Sequence, residues 1–123
     1  MRKIHDKWVI SPQDVIAELE CNHRLHLEWS VINELIPPAA KENSDQLELL
    51  AEQGRIHETK IAEHLKSSGS FIDIGKPSFT FEALTATHER TMKAVGDGVE
   101  TIYQAAFFNG SFMGFADFLI LVK

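Results

Sequence analysis

The stretch TIYQAAFFNGSFMGFADFLILV, residues 101–122, constrains this chain more than any other. Two β-rich runs flank an Asn-Gly pair, the strongest short hairpin signal in a sequence. The pattern predicts an antiparallel hairpin, 99–108 with 111–122. Phe115, Ala116 and Phe118 to Leu121 are apolar, so both faces of the second strand read as covered. Asp117 sits inside that run. An ionised, unpaired carboxylate in such a place costs several kcal/mol. It is therefore paired, bound to a metal, or at an exposed strand end, and the last is the ordinary reading. Gly114, three residues earlier, leaves room for close backbone approach. Gln104 is polar within an apolar strand. A two-residue turn sets it opposite Gly114 or Phe115, where it reads as a hydrogen-bonded core glutamine.

The rest of the chain reads as helices with short extended pieces. Residues 1–10 form an arm or short strand carrying Trp8, Val9 and Ile10. Ser11 is a good N-cap, Pro12 fits the first helical position, and Asp14 makes a short version of the capping box. One or two helices follow over 12–34, bent near Cys21–Asn22, with Val15, Ile16, Leu19, Leu25 and Leu27 as the apolar stripe. Pro37 and Pro38 end them. AAKENSDQ is a polar loop. A second helix spans 46–67, capped by Ser44 or Asp45, with Leu47, Leu50, Ile61 and Leu65 apolar. SSGS closes it. FIDIG predicts a short strand, 71–74. A third helix covers 82–95, with Ala83, Ala86 and Val95 in its stripe. Helices then a hairpin, without a βαβ unit, predict an α+β (mixed α/β) fold. Its sheet reads as unfinished, because two strands alone are marginal in water.

Composition narrows the function. At 123 residues there is room for a single domain, 1–123, with 44% hydrophobic and 24% charged residues. The longest apolar runs are about five residues, short of the roughly 18 to 20 that a membrane helix needs, so no membrane partner is expected. MRKIHDKW lacks the apolar core of a signal peptide. One cysteine makes no internal disulfide, which points to the cytoplasm. The net charge of −6 argues against gripping nucleic acid by a broad basic face. It leaves room for a nuclease, whose site is itself rich in carboxylates.

His57 and Cys21 are the other candidates for chemistry. His57 lies in GRIHETK, with Gly54 one turn before it and Glu58 beside it. His64, seven residues on, shares its face. The zinc-protease pattern H-E-x-x-H is absent, since Ile61 stands where the second histidine belongs. A lone helical histidine is more often a surface or packed residue. Cys21 has His23 and His26 nearby, but C-x-H-x-x-H is not a standard zinc spacing. A lone cysteine is usually a small hydrophobe. A small hydrolase using Cys21 with His23 or His26 is the least favoured reading. No phosphate-binding loop and no G-x-S-x-G element is present.

Together, SPQDVIAELECNHRLHLEW, the GRIHE helix, EALTATHERTMKAVGDG and TIYQAAFFNGSFMGFADFLILV resemble the amino-terminal part of RecB-like nucleases of the PD-(D/E)XK superfamily. The likeness is greatest to bacterial members often fused to a helicase. It runs from about residue 9 to the end of the sequence. G-x-x-D in the hairpin is its most specific part, then G-x-x-H-E. The resemblance implies an incomplete restriction-endonuclease-like core that hydrolyses nucleic-acid phosphodiesters, with DNA as partner. It implies that His57 and Asp117 are catalytic ligands of Mg²⁺ or Mn²⁺, ions whose chemistry suits an imidazole and a carboxylate completed by waters. A following E-x-K strand completes the site in that family and is not among these residues. Cys21 matches the first of four iron–sulfur ligands in full-length relatives. The other three are absent here, and one cysteine holds no cluster. The expectation is an N-terminal fragment of a nuclease domain, inactive alone. The alternative is a non-catalytic interaction or regulatory module. Its exposed strand, 111–122, would pair with a partner strand or with a second copy.

Overall fold

The computed structural model describes residues 1–41 and 44–123; the expected polar loop AAKENSDQ includes Glu42 and Asn43, which lie outside the described residues. Eight elements follow in order: β1 (Arg2–Ile4), β2 (Lys7–Val9), α1 (Pro12–Ile32), α2 (Asp45–Ser68), β3 (Phe71–Asp73), α3 (Phe81–Gly96), β4 (Thr101–Phe108) and β5 (Met113–Ile120). The fold is mixed α+β, with three helices and two small sheets among the described residues.

The N-terminal arm is a hairpin rather than one strand. β1 and β2 pair antiparallel, and His5 and Asp6 both take left-handed backbone angles in the turn. No Asn-Gly or Gly-rich signal marks this turn, so sequence reading misses it. The main sheet has the order β3-β4-β5. β3 runs parallel to β4 and α3 connects them, so a βαβ unit is present after all. The third strand that the hairpin needs comes from FID.

The hairpin itself differs in its turn. Phe108 pairs with Met113, leaving a four-residue connection, Asn109–Phe112. The Asn109 side chain closes it, accepting from the Ser111 and Phe112 N–H groups at 3.0 and 2.8 Å. Gly110 takes φ +91°, which its missing Cβ permits. The longer loop slides the register by two residues. Gln104 therefore lies opposite Asp117, between the pairs Tyr103↔Phe118 and Ala105↔Ala116. A slip of two by itself preserves which face each side chain takes; Gln104, with φ +56°, is the exception.

Two apolar clusters hold the sheet to α3. Ile4, Val9, Leu84, Phe108 and Met113 join the N-terminal hairpin to the tip of β4–β5. Ile74, Ala94, Ile102 and Ala105 fill the other end. The buried stripe of α3 is Leu84, Thr87, Thr91 and Ala94, not the expected Ala83, Ala86 and Val95. Two threonines hide this stripe from a hydropathy reading. Their hydroxyls donate to carbonyls one turn back, which lets them sit in the core. Thr91 Oγ1 also accepts from the Ala106 N–H at 3.1 Å, satisfying a buried β4 donor beyond the reach of the short β3. An unpaired donor there would cost about 1–3 kcal/mol.

α1 breaks where expected. Cys21 has φ −165° and ψ 96°, well outside the helical region. The apolar stripe of α1 is largely uncovered, however. Val15, Ile16, Leu19 and Leu27 are exposed, and Asp14, Ala17 and Ser30 are the buried residues. Asp14 accepts from the Ser11 N–H and hydroxyl, both at 2.7 Å, and from the Met1 ammonium.

Burial raises the Asp14 pKa, but the ammonium and the two Ser11 donors outweigh it and leave the carboxyl below the ordinary aspartate value. A folded pKa below the unfolded one adds stability at neutral pH, which is lost as pH falls through the folded value. Asp14→Asn should thus cost roughly 1 kcal/mol at neutral pH, and the gap to wild type should close below about pH 4. Urea melts at several pH values measure it; a gap that persists in acid would remove the ionic contribution.

Candidate functional site

α2 starts at Ser44, whose hydroxyl accepts from the Leu47 N–H at 3.4 Å. No residue of α2 is fully buried. Its half-buried positions are Glu58, Ile61, Ala62 and Leu65, an i, i+3, i+4, i+7 face laid toward the sheet. The helix thus brings one carboxylate, Glu58, toward β4 along with its apolar residues.

Tyr103 and Gln104 meet that carboxylate. The Tyr103 hydroxyl donates to Glu58 Oε1 at 2.7 Å, and the Gln104 amide donates to the same oxygen at 2.5 Å. Successive strand residues normally point to opposite faces. Gln104 escapes the rule by adopting φ +56°. That conformation costs about 1–2 kcal/mol for a residue with a Cβ. A hydrogen bond to a charged acceptor contributes about 1.5–3 kcal/mol, so the Gln104 bond alone offsets the strain. The Tyr103 ring stacks on Phe118 with centroids 5.1 Å apart, and the tilted Phe71 ring has its centroid 6.0 Å from that of Tyr103.

Around this junction lies an open cavity of about 320 Å³. Arg55, Glu58, Asp73, Lys76, Tyr103 and Gln104 line it. Asp73 Oδ1 accepts from the Gly75 N–H at 2.9 Å, and Gly75 takes φ +78° to turn the chain there. Two acids face two bases, so the cavity carries no strong field of one sign. Asp73 and Tyr103 were not among the sequence candidates. The signal for Glu58 was present: it shares a helical face with Ile61 and Leu65.

The expected ligands stand beside this junction rather than in it. His57 is exposed on α2, next to Glu58, and does not line the cavity. Asp117 is exposed on β5, opposite Gln104 in register. The water-facing reading of Asp117 fits its exposure. Gln104 is buried and hydrogen-bonded, but to a helix rather than within the core. Cys21 is exposed at the bend of α1 and lines an apolar groove with His23, Leu27, Val31 and Pro38. His26 instead stacks on Trp29, centroids 6.0 Å apart. Among the described residues no group of three or more His, Cys, Asp or Glu is placed to hold a metal ion. The donor set therefore does not fit a complete metal centre or a cluster. No helix among the described residues is long and apolar enough to cross a membrane.

The chain matches no family model, no curated protein and no solved structure.

Tyr103 is the sole tyrosine, so its ionisation can be read without interference. The bond to Glu58 raises its pKa above the ordinary phenol value, helped by partial burial and by the charges of Glu58 and Asp73, against the opposing Gln104 bond. Absorbance titration of the tyrosinate should place Tyr103 above a model tyrosine, and Glu58→Gln should bring it down. No downward movement would mean that the bond is absent in solution.

Proposed function

We propose that these 123 residues are part of a RecB-like nuclease core and carry a share of its metal site, His57 and Asp117. One observation carries the reading. The two most specific pieces of the resemblance, GRIHE on α2 and the hairpin with GFAD, are joined through Glu58 and Gln104, and Gln104 is the register partner of Asp117. Glu58 and Gln104 are 46 residues apart in sequence, so the two pieces are neighbours by tertiary packing and not by chain proximity. On this reading the substrate class is nucleic acid, with DNA as partner, Mg²⁺ or Mn²⁺ as the ion, and the cytoplasm as the place. An incomplete restriction-endonuclease-like core is the corresponding fold. The strand that follows the aspartate and carries E-x-K in that family is not among these residues, and the E-T-K of Glu58–Lys60 lies on α2 instead, so metal binding rather than cleavage is what the proposal assigns to them. An iron–sulfur role for Cys21 belongs only to a longer relative.

A second reading is favoured by the free edge of β5. Ile10 bridges to Phe112 and exchanges bonds of 2.9 Å with Ser111 and Met113, which covers the first residues of that edge. Among the described residues, 114–120 pair with β4 alone. An extended partner strand fits there by backbone pairing. A symmetric copy centred on Asp117 does not, because the two carboxylates would face each other.

Calorimetric titration with Mn²⁺ tests the first reading. Wild type should bind weakly, and Asp117→Ala and His57→Ala should each abolish the heat. Absence of binding in wild type, or binding untouched by both substitutions, would contradict it.

A further inference from the structure

The apolar stripe of α2 runs beyond the sheet that covers it. Leu47, Leu50, Gly54, Glu58, Ile61 and Leu65 follow one another at steps of three or four, forming a single seam. Its second half, from Glu58 on, is half-buried against β4. In its first half Leu47 and Leu50 are 63% and 68% exposed. Gly54 sits in the same bare stretch, and a Cβ added there would meet nothing within 4 Å. An apolar seam of this spacing is how helices pair, and a glycine on it lets a partner helix approach closely.

The chain as a whole exposes enough surface to take a stable partner. The chain exposes 8970 Å². A compact monomer of this mass exposes about 6,700 Å², so about 2,300 Å² is in excess. A standard interface removes about 800 Å² from each partner, and obligate homodimers remove more.

Charge argues for which partner. Glu48 and Arg55 lie seven residues apart on one flank of the seam. Two α2 helices placed antiparallel about an axis near Leu50–Ala51 set Leu47 of one copy against Gly54 of the other. The same placement brings Glu48 of each copy within side-chain reach of Arg55 of the other, where Arg55 now pairs with Glu52 of its own helix at an exposed site. Large meets small, and acid meets base, twice by symmetry.

We propose that the bare half of α2 is a homodimer surface, occupied by the same segment of a second copy in antiparallel orientation. It is independent of any metal role of His57 and Asp117. Sedimentation equilibrium of the 123-residue chain tests it. Wild type should dimerise at micromolar concentration. Leu50→Glu should raise the dissociation constant at least about thirtyfold, the effect of losing a central interface residue. Because Leu50 is exposed, the variant should keep the circular dichroism of the wild type, and Leu47→Gln gives a milder second check. Arg55→Glu should weaken the dimer, and the double exchange Glu48→Arg with Arg55→Glu should restore it. A wild type that stays monomeric at high micromolar concentration overturns the proposal. So does a dimer indifferent to Leu50→Glu and Leu47→Gln but lost when Phe118→Pro breaks β5, which would assign association to the strand edge.

Discussion

One carboxylate oxygen, Glu58 Oε1, fixes how the longest helix sits on the sheet. α2 is 24 residues long and buries none of them fully, so apolar burial holds it only loosely. Its position follows from two donors converging on that oxygen from adjacent residues of one strand. Convergence requires Gln104 to leave the ordinary strand conformation. The strain and the bonds are thus one feature: without Glu58, nothing in β4 rewards a left-handed glutamine.

The rest of the sheet adapts to this choice. β3 is three residues long and pairs with Thr101–Tyr103, ending where Gln104 begins. Beyond it α3 takes over, with Thr91 receiving the Ala106 N–H and Ala94 packing beside Ala105. Small residues at 105 and 106 let the helix come close. Arg90 Nη1 donates to the Ile74 carbonyl at 3.0 Å and ties α3 to the end of β3. The α2 face of the sheet is polar at Tyr103 and Gln104, and the α3 face is apolar. The cavity forms on the polar side because only there does a helix meet the sheet through long side chains instead of methyl groups.

Much of this was legible in the residues, and the failures have physical causes. The bend at Cys21, the caps at Ser11 and Ser44, the FID strand and the hairpin all follow from local chemistry that the neighbourhood does not override. The parallel pairing of β3 with β4 was missed because three residues give no periodicity long enough to assign a partner. Register was missed by two because Asn109 closes a four-residue loop with its own side chain, in place of the two-residue turn that Asn-Gly suggests. The stripes of α1 and of the first half of α2 were legible as apolar faces but not as bare ones, because hydropathy says which residues prefer burial, not whether anything lies against them. Thr87 and Thr91 were missed for the opposite reason. His57 and Asp117 were visible as residue types, whereas the contact made by their neighbours Glu58 and Gln104 depends on a backbone angle that no propensity predicts.

A double-mutant cycle on Glu58→Ala and Gln104→Ala, read by urea unfolding, asks most directly whether the helix bearing GRIHE is locked to the hairpin bearing GFAD. The two sites lie 46 residues apart in sequence. Coupling of about 1 kcal/mol or more is expected for groups that share a charged hydrogen bond. Effects that add to within about 0.3 kcal/mol would mean that the two side chains do not meet in solution, and the functional reading built on their contact would fall with it.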